Sequence, residues 1–371
     1  MHVPFYSSVR EYKTRSLEFD AAVRGVMERG DFILGSEVAE FEKEAAAWLG
    51  AKYAVGLASG SDALVLASDI LGFKDGAEVL TPTFTFFAST SCVVRLGGKP
   101  VLVDMDEETL NMDLADAEQK LTKKTAGIIP VHLFQQCTPL QQVMKLTKAH
   151  GLKVLEDAAE AWGMKSKVDG VWRMAGTVGE IGIYSFFPTK TLGAYGDAGL
   201  AVTDDEELYK KLKSFRVHGS SVKYHHDYIG YNSRLDTMQA AILRVKLKTT
   251  NDSIATRARH ADHYTQRLCG IPGLRIPPVS ADNKPVYYVY NILLDGRDKL
   301  VEQFKDKGIG YSIYYPKPLH LQKCFSYLGW KEGDFPVAES VAKRIIALPI
   351  YPEITDDEVD YVCDEIAAFC Q

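Results

Sequence analysis

Long apolar runs are missing from this chain. A membrane-spanning helix needs about 20 consecutive apolar residues, and none of the 371 positions opens such a run, so no membrane partner is expected. The first residues, MHVPFYSSVREYKTRS, mix charges throughout and have no apolar centre of the kind a secretion signal carries. Cysteine is sparse: six, at 92, 137, 269, 324, 363 and 370, with no Cys-x-x-Cys pair. In a chain of this length they read as reduced, mostly buried thiols of a cytoplasmic protein. His225 and His226 are adjacent, yet no third ligand stands at a zinc spacing, so no metal is expected. Nor is there an excess of positive charge. The net charge of −6 argues against nucleic acid as a partner. The glycines cluster in SFFPTKTLGAYGDAG, residues 185–199, but at 193, 196 and 199 they match neither G-x-G-x-x-G nor G-K-[ST].

What is present is an alternation of periods. EVAEFEKEAAAWLG has apolar residues at helical spacing and ends in Gly50. YAVGLAS is strand-like, SDALVLASDILG helical, AEVLTP strand-like, TFFASTSCVVRLG helical and KPVLVDMD strand-like. DLADAEQKL, AGIIPVH, PLQQVMKLTKAHG and LKVLED continue helix, strand, helix, strand. Such alternation predicts βαβ units, an α/β fold and a mainly parallel sheet with right-handed crossovers. Beyond residue 245 the pattern changes. RVKLKTTNDSIATRARHADHYTQRL reads as one long helix, KPVYYVYNILL and YSIYY as strands, and DKLVEQFKDKG as a helix. Two domains are expected: residues 1–245, large and sheet-based, and residues 246–371, smaller and α+β.

In parallel sheets, ligands bind beyond the carboxyl ends of the strands. Three loops fall there: ASGSD at 58–62, Asp157, and Lys190. ASGSD suits a phosphate, with helix-start N–H groups, Gly60 for close approach and the Ser61 hydroxyl. It suits a plain N-cap equally well. Ser185, five residues before Lys190, offers a second hydroxyl or merely bonds to its own backbone. Asp157 ends an apolar strand, where a carboxylate is costly unless paired. It fits the pyridinium nitrogen of pyridoxal 5′-phosphate, or the cap of the AAEAW segment that follows. Lys190 fits the aldehyde of the same cofactor by position, or is an ordinary solvated loop lysine. Phe86 could stack on its ring or belong to the core. The combination favours pyridoxal phosphate over a nicotinamide or a P-loop nucleotide.

These stretches, with FILGSEVAEFEKEAAAWLG, EVLTPTFTFFAS, LKVLEDAAEAWG, IGYNSRLDTMQAAIL and YYPKPLHLQ, resemble the DegT/DnrJ/EryC1/StrS nucleotide-sugar aminotransferases. The resemblance runs over nearly the whole chain. It implies the aspartate-aminotransferase fold (fold type I), with a mainly parallel seven-stranded sheet. It implies that Lys190 holds the cofactor and shuttles the proton, and that Asp157 pairs with the ring nitrogen. Gly60, Ser61, Asp62 and Ser185 would hold the phosphate, and Phe86 would stack on the ring. Asn232 would reach the cofactor phosphate of a neighbouring subunit, making a homodimer with shared sites. Arg234 and Tyr315 match positions that face the sugar in some members. Glu160 stands where many members have glutamine, beside the ring hydroxyl, and Thr191 where asparagine often follows the lysine. A dehydratase branch carries histidine in place of Lys190, so lysine favours transamination.

The resemblance thus implies amino transfer from L-glutamate, which leaves as 2-oxoglutarate, to a keto sugar linked to dTDP or UDP. The run RVHGSSVKYHHDYIGYNSRLDTMQAAIL is closer to members acting at C3 than at C4. The product would be a deoxyamino sugar for an antibiotic, an O-antigen or another surface glycan. If the sugar were a uronic acid, Arg234 could pair with its carboxylate. The alternatives are C4 amination, a sugar dehydratase, and a regulator on the same fold. The last lacks support, because no basic helix-turn-helix segment is appended.

Overall fold

The computed structural model describes residues 1–371. The chain opens with α1 (Ser8–Arg29) and α2 (Ser36–Leu49), then β1 (Tyr53–Leu57) and α3 (Gly60–Leu71). It continues through β2 (Glu78–Pro82), α4 (Ala88–Arg95), β3 (Lys99–Val103), α5 (Leu114–Gln119) and β4 (Thr125–Ile128). Next come α6 (Leu140–His150), β5 (Lys153–Asp157), the hairpin β6 (Lys165–Val168) and β7 (Val171–Met174), β8 (Ile181–Ser185) and β9 (Gly199–Thr203). After α7 (Glu206–Phe215) a short hairpin, β10 (Ser220–Val222) and β11 (His225–His226), leads to α8 (Thr237–Leu247) and α9 (Thr250–Leu268). The last part holds β12 (Leu274–Arg275), β13 (Asn283–Lys284), β14 (Tyr290–Leu294), α10 (Arg297–Lys307), α11 (Pro336–Arg344), β15 (Ile345–Leu348) and α12 (Asp356–Phe369).

The main sheet has seven strands in the order β1-β9-β8-β5-β4-β2-β3. Neighbours from β8 through β3 run parallel, and β9 is antiparallel to both β8 and β1. The expected α/β, mainly parallel architecture is what forms. Because β1 and β8 both oppose β9, they point the same way. The ends of β1, β5 and β8 therefore share one edge, and the pairs Ser185–Gly199 and Leu57–Gly199 bring two of the three loops together there.

Successive strand side chains face opposite sides, and both sides are covered. Ile183, Leu155 and Ala201 pack under α3, α4 and α7 through Leu64, Val93 and Phe215. Tyr184, Leu200 and Val202 pack against α2 and α8 through Phe41, Leu49 and Leu243. Each such aliphatic side chain contributes about 1.5–3 kcal/mol on full burial. A separate core unites α9, α10 and α12 with β14 and β15, around Tyr264, Phe304, Ile346 and Val362.

Several local expectations need correction. The long helix after residue 244 is two helices, α8 and α9, separated at Lys248–Thr249, where Thr249 leaves helical geometry (φ −115°, ψ 12°). The two halves face different cores: α8 packs on α1 and α2, and α9 on α12. TFFASTSCVVRLG becomes helical only from Ala88. YSIYY is no strand; Ser312 makes a single bridge to Ala347. In KPVYYVYNILL only Tyr290–Leu294 joins a ladder of the smaller core, while Lys284 pairs with Lys165. The AAEAW segment forms turns rather than a helix. Helix α1 carried no periodic signal, because only Phe19 and Val26 are buried along its 22 residues.

Candidate active site

A cavity of about 640 Å³ opens at the shared strand edge. Its wall includes Gly60, Ser61, Phe86, Asp157, Glu160, Ser185, Lys190 and Tyr315, so eight of the sequence-predicted residues converge. They come from sequence positions as distant as 60 and 315, and the parallel sheet is what assembles them.

The loop after β1 starts α3. Ser59 is the N-cap, its Oγ accepting from the Asp62 N–H at 3.1 Å. The N-cap is thus formed, and Gly60 and Ser61 beside it line the cavity. Gly60 is buried against Ser185: a Cβ built on it would lie 2.8 Å from the Ser185 Cβ. Gly199, last in the glycine cluster, faces the same loop, and its Cβ would fall 2.3 Å from the Ser59 carbonyl carbon. These glycines permit close backbone approach. The Ser185 hydroxyl accepts from the Phe187 N–H at 3.3 Å, the strand-end bond to its own backbone, while its side chain faces the cavity.

Asp157 is 3% exposed. Its Oδ2 accepts from the Ser89 hydroxyl at 2.7 Å and its Oδ1 from the Ala159 N–H at 3.1 Å. Burial pushes this carboxyl up, and Ser89, Ala159 and the Lys190 charge only partly offset it. Its neighbour Glu156 faces the other side of the sheet. Burial pushes that carboxyl up too, but His132 at 2.9 Å and the N–H groups of Gly179 and Gly176 hold it below its ordinary value. The two acids, adjacent in sequence, therefore differ: Glu156 is fully partnered, and Asp157 lies on the cavity wall without a cation in hydrogen-bond contact. That deficit is what a ring N–H⁺ would correct. Phe86 is 57% exposed, which excludes the core reading and leaves a flat face at the cavity. An acid short of a cation, an exposed ring, a helix start with a glycine cradle and an amine fit pyridoxal phosphate.

Lys190 leaves a turn closed by its N–H donating to the Phe187 carbonyl at 2.8 Å. Its Nζ lies 3.3 Å from Glu160 Oε1 and 4.2 Å from the centre of the Tyr288 ring. The other Glu160 oxygen accepts from the Phe134 N–H at 3.2 Å. Tyr315 lies 6.4 Å, centre to centre, from Phe86.

Three predicted residues stand apart. Asp62 contributes its backbone N–H to the cap, and its side chain does not line the cavity. Asn232 is exposed, bridges Val217 and lies outside this cavity. Arg234 is half-buried, outside the cavity, and forms no ion pair within the chain. Two contributors escaped the sequence reading. Ser89 lies 68 residues from the acid it serves, and Tyr288 arrives from the far end of the chain.

An amine facing a buried acid, on an aminotransferase-type sheet, is the build of a pyridoxal-phosphate enzyme. Residues 14–367 match the model of the DegT/DnrJ/EryC1/StrS aminotransferase family. The chain is 43% identical to a pleiotropic regulatory protein of Geobacillus stearothermophilus, over 100% of this chain and 99% of that one. It is 42% identical to a UDP-N-acetyl-3-dehydro-α-D-glucosamine 3-aminotransferase of Acidithiobacillus ferrooxidans, covering 90% and 89% of the two. The crystal structure of DesV from S. venezuelae, in complex with a ketimine intermediate, superposes with a TM-score of 0.96 at 36% identity, covering 100% and 99%. The chain belongs to the DegT/DnrJ/EryC1/StrS aminotransferase family and is a pyridoxal-phosphate-dependent aminotransferase.

Proposed function

We propose that the enzyme moves an amino group from L-glutamate to the C3 keto group of a sugar linked to UDP or dTDP. The observation that carries the chemistry is the meeting, in one cavity, of the Lys190 amine and the buried, cation-deficient Asp157. The relatives named for 3-amino chemistry support the position on the sugar. The regulatory name of one relative supports a second reading, to which the intact lysine and acid are opposed.

When bound, pyridoxal phosphate supplies an aldehyde carbon for the amino group and a protonated ring that takes up electrons. The protein supplies the rest. Lys190 Nζ would hold the cofactor. Freed from it, the same amine would be the base that takes the donor's α-proton and the acid that gives it back. Asp157 would hold the ring N–H, and Ser89 and Ala159 orient its carboxylate. Gly60, Ser61 and Ser185, with the start of α3 at Asp62, would hold the phosphate, Phe86 would cover the ring, and Glu160 would serve the ring hydroxyl. Tyr315 and Arg234 are assigned to the sugar. Asn232 serves the site of a second subunit, so the working unit is a homodimer. We place it in the cytoplasm, which its six free cysteines favour; no helix is long and apolar enough to cross a membrane. We also divide the chain into residues 1–245 and 246–371, a boundary that falls just before the α8–α9 break.

The test is to load the protein with pyridoxal phosphate, add L-glutamate, and follow the visible band of the lysine-bound cofactor. Loss of the band, with 2-oxoglutarate formed, is expected. UDP- and dTDP-linked 3-keto sugars are then supplied and the products read by NMR. Nitrogen at C4, or loss of water without nitrogen, would overturn the assignment.

A further inference from the structure

Tyr288 is used by none of the roles above. It comes from the segment leading into β14, in the part of the chain assigned to the smaller unit, and is 7% exposed. Its ring face lies 4.2 Å from Lys190 Nζ, and its hydroxyl lies 3.1 Å from the Oγ1 of Thr189, the residue before the lysine. The ring is thus fixed to the lysine turn at its edge and turned toward the amine with its face. Its backbone is held as firmly. The buried Arg257 guanidinium donates to the carbonyls of Tyr287 at 3.1 Å, Tyr288 at 3.4 Å and Ile350 at 2.8 Å. Burial, with the nearby Glu160 charge, raises the Tyr288 phenol to about 12, so the ring stays neutral at working pH.

A cation above an aromatic face is attracted by the ring quadrupole, more so where water is excluded. Here the lysine amine has two partners only, the Glu160 carboxylate at 3.3 Å and this ring. Neither is needed while the lysine nitrogen is bonded to the cofactor. Both become relevant when the donor has taken the lysine's place. We propose that Tyr288 is a positioning residue that holds the released Lys190 as an ammonium, between its face and Glu160, during the amino-cofactor half of the cycle. The lysine is released as a free amine and passes the donor's α-proton on; it takes one proton from solvent only after 2-oxoglutarate has left, and gives that proton back to solvent before it next acts as a base. The ring thereby sets how readily the enzyme loads with amine, and it keeps the lysine nitrogen in place for the return half. This rests on Lys190 being the amine that carries the cofactor.

The measurement is the ratio of L-glutamate to 2-oxoglutarate at which half the enzyme has lost the lysine-bound band. Tyr288→Leu is expected to need a ratio at least about threefold higher than the parent, and Tyr288→Phe, which keeps the face, to match the parent. Phenylalanines of increasing fluorination at position 288 keep the shape and weaken the face, so the midpoint is expected to climb in step. They also serve if the leucine variant does not fold. In a Lys190→Ala background, Tyr288→Leu is expected to leave the affinity for pyridoxamine phosphate unchanged, measured by fluorescence. Midpoints that ignore the fluorine series would overturn the proposal. So would an equal loss of pyridoxamine phosphate affinity with and without the lysine, since Tyr288 would then contact the cofactor itself. A lysine-bound band persisting in Lys190→Ala would instead overturn the assignment of Lys190.

Discussion

Asp157 shows at the residue scale how function costs stability. Its carboxyl is buried with two hydrogen bonds and no cation in contact, and it is pushed above its ordinary value. For an acid raised on folding, the native state binds the proton more tightly than the unfolded chain. Stability is then lost as pH rises from the unfolded value toward the folded one, and the penalty is fully present above it. Asp157→Asn is therefore expected to raise the melting temperature of the cofactor-free protein at neutral pH, by a gain of order 1 kcal/mol. Below about pH 4 the difference closes. The same variant is expected to lose roughly 100-fold or more in transamination, since the proposed ion partner of the ring nitrogen is gone. Calorimetry across pH and steady-state kinetics check the two halves. Lys190→Ala removes the proposed proton carrier and is expected to slow turnover by at least about 10³-fold, at the upper end of general base effects.

Elements hold these residues through polar anchors buried between them. Glu156 receives N–H groups from Gly176, Val178 and Gly179 and the ring of His132, so the loop into β8 is tied to β5. Its carboxyl is held low on balance, so this contribution is present above the unfolded value near 4.3 and is lost as pH falls through the folded value. Glu156→Gln is expected to destabilise by about 3 kcal/mol, because it leaves a buried network half satisfied; urea unfolding reads it. A second anchor joins the Tyr315 segment to the end of β2. His320, 1% exposed, lies 2.8 Å from the Thr83 hydroxyl and 3.0 Å from Glu339 Oε1, and burial pushes its imidazole down toward the neutral form. His320→Ala is expected to cost roughly 2 kcal/mol in unfolding free energy by leaving Glu339 and Thr83 short of a partner.

At the scale of the whole molecule, the proposed sharing of sites is tested at Asn232. It lies outside the cavity of its own chain and is exposed. If it completes a neighbour's site, two defective variants should complement each other. Lys190→Ala and Asn232→Asp subunits, unfolded together and refolded at equal amounts, are expected to recover about a quarter of parental activity. Half the dimers are mixed, and each of those holds one site with both natural residues. Activity no higher than the sum of the two separate variants would mean that each site is built from one chain.

The sequence alone determined the alternation of strands and helices, and hence a mainly parallel sheet with ligand loops at its carboxyl edge. That much is local, since side-chain period and strand-end polarity are written over ten residues at a time. It also pointed to the chemistry, through the combination at strand ends of Asp157, a carboxylate costly there without a partner, with Lys190 and a phosphate-type loop, and through the resemblance to one family over nearly the whole chain. The rest depended on contacts across long separations. That Phe86 is exposed, that Ser89 serves Asp157 from 68 positions away, and that Tyr288 faces Lys190 are products of packing. So is the break at Thr249, since helical periodicity continues through it while the two halves answer to different cores. Period and polarity act within a segment; which segments meet is decided only when the whole apolar surface is buried at once.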